Sequence, residues 1–148
     1  MIEIRRFKTG DEKELSEMSR SCIVTINSKD VEKHEADALY EYFSPERFVE
    51  ESNMAAVFVA ELDGKIAGTA TLDGDLVRAV FVSPLTHGKG VGSALMKHVE
   101  ETAKKSGLKK IILRSSPYAV GFYLKLGYRT IEEIRNEAGR LTVMEKKL

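Results

Sequence analysis

Residues 79–92 read AVFVSPLTHGKGVG, and this stretch decides the fold. An apolar segment typical of a strand ends at Ser83-Pro84, and a loop with alternating glycines leads into an amphipathic helix that begins near Gly90. The N-terminus of a helix presents unpaired backbone N–H groups and the positive end of the helix dipole. Glycines let an anion approach that backbone closely because they carry no Cβ. We therefore expect this segment to bind a phosphate or pyrophosphate.

Two common phosphate-binding motifs do not fit this loop. A P-loop requires Gly-Lys-Ser/Thr, but here Gly88-Lys89 is followed by Gly90. The dinucleotide fingerprint Gly-x-Gly-x-x-Gly fits at Gly88 and Gly90, but Ser93 replaces its third glycine. The next predicted strand also ends in Arg114, where an acid that binds ribose would be expected. An adenine-nucleotide-binding module is therefore the weakest of the interpretations.

A third pattern, Gln/Arg-x-x-Gly-x-Gly/Ala after a strand that ends in proline, does fit. The glycines of residues 87–92 match the loop, and residues 80–84 match the strand. A second segment, residues 119–128 (AVGFYLKLGY), is similar to the signature Ala-x-x-Phe-Tyr-x-x-x-Gly-Phe/Tyr. By these two motifs, in this order, the chain resembles the GNAT superfamily of acetyl-CoA-dependent N-acetyltransferases. The resemblance spans essentially the whole chain and is weakest between about Cys22 and Tyr42.

The resemblance implies an α/β (α+β) fold with a mixed, mostly antiparallel twisted sheet, flanking helices and a splayed parallel strand pair at the cofactor site. It implies a single N-acetyltransferase domain over residues 1–148. The pattern of apolar residues predicts the same order of elements. An antiparallel meander covers 56–82, and the strand–helix–strand unit across 76–114 predicts one parallel pair. A short helix at 117–126 and a closing hairpin follow.

Two helix starts carry local signatures. Thr9 and Glu12 have the spacing of a capping box for the first helix. Ser44-Pro45 has the pattern of an N-cap followed by proline at the first helical position. Phe43 and Phe48 are spaced for a hydrophobic staple across that second cap.

The resemblance also implies the activity, which is transfer of an acetyl group from acetyl-CoA to a primary amine by direct attack in a ternary complex. Tyr123 matches the general-acid tyrosine of the family, which protonates the departing thiolate. His87 stands where the family usually has Gln or Arg, and Ser116 where many members have Asn. The cofactor-binding residues that the resemblance implies are Val80, Phe81, Val82, His87, Gly88, Lys89, Gly90, Val91, Gly92, Ser116 and Tyr123.

The sequence does not identify a general base. Arg78 lies near the position where the histone-modifying branch of the family has a glutamate, so no carboxylate carries over. Asp73, Asp75 and Glu61 flank the expected cleft, and Ser115 is placed to orient a water. Each of these residues is more often a solvated turn or strand-end residue. Ordered water that carries the proton to solvent is the alternative to a dedicated base.

The acceptor amine is also left open by the sequence. We expect residues 23–51 and the hairpin at 128–140 to shape its site, because these are the least patterned parts of the chain. The acidic residues of the first segment are Asp30, Glu32, Glu35, Asp37 and Glu41. They suit a cationic amine, but a solvated helical face explains them equally well. A small molecule, a peptide N-terminus and a lysine side chain all remain candidates. The rival function is a non-catalytic acyl-CoA binding or sensing domain on the same fold.

Composition narrows the class of protein further. Among 148 residues, 23 Lys and Arg balance 23 Asp and Glu, which argues against a nucleic-acid partner. Cys22 cannot form an internal disulfide, which suits a reducing, cytoplasmic location. No apolar leader is evident, and the longest apolar run, 55–60, is too short to span a bilayer. The three histidines lack ligand spacing, so no metal site is expected, and a homodimer, common in the family, is possible.

Overall fold

The computed structural model describes residues 1–26, 31–136 and 139–148. Its strands are β1 (Ile2–Arg6), β2 (Ala56–Leu62), β3 (Lys65–Asp73), β4 (Leu76–Val82), β5 (Lys110–Ser115), β6 (Arg129–Asn136) and β7 (Gly139–Lys147). Its helices are α1 (Glu12–Val24), α2 (Lys33–Tyr42), α3 (Pro45–Met54), α4 (Val91–Lys105) and α5 (Val120–Lys125). Single 3₁₀ turns at Pro84–Thr86 and Pro117–Ala119 precede α4 and α5. No helix in these ranges is both long and apolar enough to cross a membrane.

The seven strands form one mixed sheet in the order β1-β2-β3-β4-β5-β7-β6. Neighbouring strands run antiparallel except for β4 and β5, which are parallel. A parallel pair needs a long crossover connection, and α4 supplies it here. The predicted fold class, including the single parallel pair, is therefore confirmed.

Helices cover both faces of the sheet. The apolar stripe of α4 predicted from the sequence is fully buried, and α4 packs with α5 on one face. On the other face of the sheet, α1 and α3 pack around Leu15 and Phe48, against those side chains of β2 and β3 that point away from α4. Because both faces are covered, β3 is buried along nearly its whole length.

Gly68 on β3 determines how closely α4 approaches the sheet. A Cβ at this position would lie 2.8 Å from Leu95 Cδ1 and 2.9 Å from Val91 Cγ1. Real Cβ atoms do not make such short contacts, so with any larger residue the Leu95 and Val91 side chains, or α4 that carries them, would have to shift. The glycine thus fixes the first turn of α4, which is the turn that follows the glycine loop.

The two predicted helix starts have different outcomes. The Ser44 hydroxyl accepts a hydrogen bond from the Arg47 N–H at 3.3 Å, and the Phe43 and Phe48 rings lie 5.8 Å apart, so that cap is confirmed. The capping box at Thr9 is wrong, because α1 begins after Asp11. The Asp11 carboxylate accepts from the two terminal nitrogens of the Arg5 guanidinium at 2.8 and 3.0 Å, an ion pair between a strand and a helix start that the local spacing did not reveal.

We expect Asp11→Asn to lower the free energy of unfolding by about 1–3 kcal/mol at neutral pH. Burial raises the pKa of Asp11, but Arg5 and the Lys8 N–H outweigh burial and hold that pKa below its ordinary value of 3.8. The ion pair therefore stabilises the protein at pH values above the ordinary pKa of Asp11. This stabilisation is lost as the pH falls through the lowered pKa of Asp11 in the folded protein. Urea denaturation from pH 7 to about pH 3 measures the effect. If the difference in free energy of unfolding between variant and parent does not become smaller at low pH, this role of the ion pair is refuted.

Candidate active site

The parallel strands β4 and β5 separate soon after they meet. Their pairing is confined to Leu76 with Ile112 and Val77 with Leu113. Beyond these positions the two strands diverge, and a cleft of about 810 Å³ opens between them. The edge of β4 from Arg78 to Val82 therefore has no β5 partner, and a ligand in the cleft has access to its backbone.

A β-bulge lies at the point where β4 leaves β5. Thr69 of β3 pairs with Phe81, but Thr71 pairs with Arg78, so β4 carries one extra residue. Ala79, within the bulge, has a φ of +54°, which alanine rarely adopts. A bulge bends its strand and turns backbone groups out of the ladder, and here Arg78, Ala79 and Val80 at the bulge line the cleft.

The cleft is lined by α2 and Phe43, by β4, by β5 and the turn after it, and by the β6–β7 hairpin. The two segments predicted to shape the acceptor site, 23–51 and 128–140, each contribute to these walls. The predicted residues Val80, Phe81, Ser116 and Tyr123 line the cleft, whereas Val82 does not. Lining residues outside those two segments that the sequence analysis did not connect with the site include Arg114 and Tyr118.

Tyr123 on α5 is the most deeply placed titratable residue of the lining. It is 6% exposed, and its ring contacts those of Phe122 and Tyr128 at 5.0 and 5.7 Å between centroids. Its hydroxyl has no hydrogen-bond partner among the described residues. Burial raises the pKa of Tyr123 above its ordinary value, so its hydroxyl stays protonated at neutral pH.

The glycine loop lies next to the cleft rather than inside its lining. Gly88 and Gly90 have φ values of +78° and +83°, and Gly90 is the N-cap of α4. No described atom would lie within 4 Å of a Cβ at either glycine. Residues 87–90 are exposed, whereas Val91 and Gly92 are buried, so Val91 offers a ligand its backbone rather than its side chain.

Close packing joins this loop to the cleft. A Cβ at Gly92 would lie 3.0 Å from the Phe122 ring, which in turn contacts Tyr123. The N-terminus of α4 is thereby held against α5. The structure brings together the two motifs that the sequence analysis singled out, although some thirty residues separate them in the chain.

Most residues considered as a general base are engaged elsewhere. Glu61 pairs with Arg5 at 3.3 Å on the β1 side of the sheet, and Asp73 pairs with Arg78 at 3.1 Å. Neither of them lines the cleft, and Asp75 does not either. Ser115 does line it, but its hydroxyl donates to the Ser116 carbonyl at 2.8 Å.

Cys22 is also unsuited to nucleophilic chemistry. Its thiol is half-buried and donates to the Val82 carbonyl at 3.1 Å. Burial raises the pKa of the Cys22 thiol to about 11, so the reactive thiolate is scarce at neutral pH. The described residues hold no group of three His, Cys, Asp or Glu side chains placed to bind a metal.

Comparison with known proteins now identifies the family. A family model described as "Acetyltransferase (GNAT) domain" matches residues 26–148. The chain belongs to the GNAT acetyltransferase family. Among GNAT relatives, the peptidyl-lysine N-acetyltransferase YjaB of Salmonella typhimurium is 28% identical over 132 residues, which cover 87% of this chain and 84% of that protein. The glucosamine 6-phosphate N-acetyltransferase of Trypanosoma brucei brucei is 36% identical over 87 residues, which cover 51% of this chain and 59% of that protein.

Solved structures share the GNAT fold over the full chain. A GCN5-related N-acetyltransferase from Rhodopseudomonas palustris superposes with a TM-score of 0.90 at 21% identity, covering 99% of this chain and 95% of that one. The PaiA N-acetyltransferase of Thermoplasma acidophilum, solved in complex with coenzyme A, superposes with a TM-score of 0.85 at 21% identity, covering 100% and 99%. At these identities the structures establish the fold of this chain and leave its site residues to be argued from its own geometry.

Proposed function

We propose that this protein, as one domain over residues 1–148, transfers the acetyl group of acetyl-CoA to a primary amine. The observation that carries the proposal is the cleft between β4 and β5, which joins an unpaired strand edge to a glycine-rich helix N-terminus. Membership of the GNAT family supports it. Acetyl-CoA supplies an acetyl group already activated as a thioester.

The residues of the loop and the strand edge suit coenzyme A. The backbone N–H groups of residues 87–92, except that of Lys89, which donates to the Thr86 carbonyl, would hold the pyrophosphate at the positive end of α4, with the Lys89 side chain adding charge. Val80 and Phe81 line the cleft, so their backbone groups can pair with the amides of the pantetheine arm as an added strand does, whereas the Val82 carbonyl already accepts from Cys22. Ser116, at the end of β5, lines the opposite side of the same cleft.

Tyr123 is proposed as the general acid. Its side chain lines the cleft, its hydroxyl stays protonated at neutral pH, and no described partner competes for its proton. A phenol in this state can protonate the sulfur that departs when the amine bonds to the acetyl carbon. Because no described lining residue is a carboxylate, we propose that the amine's own proton leaves through water.

The named acceptors of the relatives do not agree with one another. YjaB is named for peptidyl-lysine, which is cationic, and the trypanosomal protein for a phosphorylated amino sugar. The acceptor of this protein therefore has to be argued from its own cleft.

Thermal unfolding with and without acetyl-CoA tests the assignment of the site. At a ligand concentration of about 100 times Kd, we expect stabilisation of about 2.7 kcal/mol, which is roughly 5–10 °C in melting temperature for a chain of this length. Free CoA should act similarly, whereas NAD and ATP should not. A larger shift from NAD or ATP would mean that the phosphate site binds another ligand. Stabilisation by acetyl-CoA without CoA release in the presence of any amine would favour the rival, a non-catalytic acyl-CoA sensor.

A further inference from the structure

We propose that the acceptor amine also carries an anionic group, a carboxylate or a phosphate, and that the guanidinium of Arg114 binds it. Arg140 adds positive charge in the same cleft. The inference rests on the proposed acetyltransferase function and deepens it by naming the chemical class of the acceptor.

The charge of the cleft is one-sided. Its described lining contains three arginines, Arg78, Arg114 and Arg140, and neither aspartate nor glutamate. The whole chain, by contrast, has equal numbers of acidic and basic residues. The excess of positive charge is therefore a property of this cleft and not of the protein as a whole.

The three arginines differ in whether a carboxylate of the protein already pairs with the guanidinium. Arg78 is bound by the carboxylates of Glu51 and Asp73, and its hydrogen bond with Glu51 raises its pKa. Arg114 and Arg140 are exposed, and neither guanidinium has an ion-pair or hydrogen-bond partner among the described residues. A guanidinium beside an apolar surface binds carboxylate or phosphate through paired hydrogen bonds. No described residue therefore competes with an outside anion for Arg114 and Arg140.

The acidic residues that the sequence offered for a cationic acceptor do not line the cleft where the structure describes them. Glu32 and Glu35 lie 3.9 and 3.7 Å from the guanidinium of Arg135, and Asp37 lies 3.0 Å from the Lys33 ammonium. None of these acids lines the cleft, and neither does Glu41, whereas Asp30 lies outside the described residues. Among the described residues of the cleft, an acceptor with a second positive charge would meet arginines and no compensating carboxylate.

The position of Arg114 separates it from the site proposed for the pyrophosphate. Side chains alternate along β5, and Ile111 and Leu113 pack in the core under α4. Arg114 therefore lies on the opposite face of the sheet, the face that α1 and α3 cover. The pyrophosphate loop begins α4, so the anion of Arg114 is distinct from the phosphates of coenzyme A.

Pairs of amines that differ only in the anion test the proposal. O-phosphoethanolamine is compared with ethanolamine, and alanine with alaninamide, at saturating acetyl-CoA with CoA release as the readout. We expect kcat/KM to be about 10–100-fold higher for at least one anionic member than for its neutral partner. Which pair shows the preference distinguishes phosphate from carboxylate. A preference for the neutral members, or for the lysine side chain of a short peptide, would overturn the proposal.

Substitutions at Arg114 test whether this residue binds the anionic group of the acceptor. Arg114→Gln should lower kcat/KM for the anionic amine by about 10–100-fold. It should leave kcat/KM for the amine that lacks the anion, and the KM for acetyl-CoA, unchanged. Arg114→Lys should recover part of the loss, since it keeps the charge without the paired geometry. Arg6→Gln, on β1 at the far edge of the sheet, is the control and should behave as the parent. A rise in the KM for acetyl-CoA in Arg114→Gln would mean that this arginine binds coenzyme A, which overturns the proposal.

A measurement that does not depend on turnover separates this proposal from the proposed function. O-phosphoethanolamine and alanine should raise the melting temperature of the acetyl-CoA-bound protein, and Arg114→Gln should abolish the rise. If the rise occurs without turnover of any amine, the anion site stands and the transferase function fails. If neither anionic amine is turned over or stabilises the protein, the anion site is refuted, and the shift caused by acetyl-CoA alone still tests the cofactor site.

Discussion

Tyr123→Phe should lower kcat by about 100-fold or more while changing the affinity for acetyl-CoA little, because a general acid contributes about that much or more to a proton-transfer step. The substitution removes one oxygen and keeps the ring, which packs between Phe122 and Tyr128. Loss of packing is therefore not expected. Steady-state rates of CoA release, together with thermal shifts by acetyl-CoA, separate turnover from binding.

Tyr128→Phe is the matched control for this prediction. Tyr128 is also buried and also loses only its hydroxyl, but that hydroxyl donates to Glu100 at 2.8 Å. Its loss should cost about 1–3 kcal/mol of stability and leave kcat near that of the parent, since Tyr128 does not line the cleft. Equal turnover in Tyr123→Phe and the parent would refute the general-acid role.

Gly90→Leu should abolish the stabilisation by acetyl-CoA. Gly90 has a φ of +83°, and a Cβ there would meet no described atom within 4 Å, so the new side chain enters the space in front of the α4 N-terminus. That space is where we place the pyrophosphate, so the side chain and the phosphates would compete for it. The shift of roughly 5–10 °C expected for the parent should fall to within error in the variant.

Gly107→Leu, just beyond the other end of the same helix, controls for backbone strain. Gly107 has a φ of +94°, and a Cβ there also meets no described atom within 4 Å. Each substitution should cost about 1–2 kcal/mol for the left-handed conformation. We expect only Gly90→Leu to lose the response to acetyl-CoA. A variant of Gly90 that binds acetyl-CoA as tightly as Gly107→Leu does would refute the assignment of the loop.

The order of strands and helices follows closely from local sequence. Apolar residues at every fourth position define α4, and the two-residue loops Asp63-Gly64 and Gly74-Asp75 close the hairpins of the meander. Such signals are local because they depend on backbone conformation and on which face of one element is apolar. The capping box predicted at Thr9 is wrong for a related reason. Asp11, at the N-cap position of α1, is bound by Arg5 of β1, and the local sequence pattern did not connect these two residues.

The sequence alone was enough to predict the fold class and to single out the loop and the tyrosine that we propose for the site, because these predictions rest on residue types at fixed spacing within single segments. The tertiary structure decided which charges reach the cleft. Arg114 is to the sequence only the last cation of a short strand, and Glu35 and Asp37 only acids on a helix. Ion pairs can join residues that are distant in the chain, as Glu35 and Arg135 show, and a side chain's charge is available to a ligand only where no partner has already taken it. Among the described residues, Arg114 and Arg140 are the arginines of this cleft without a partner.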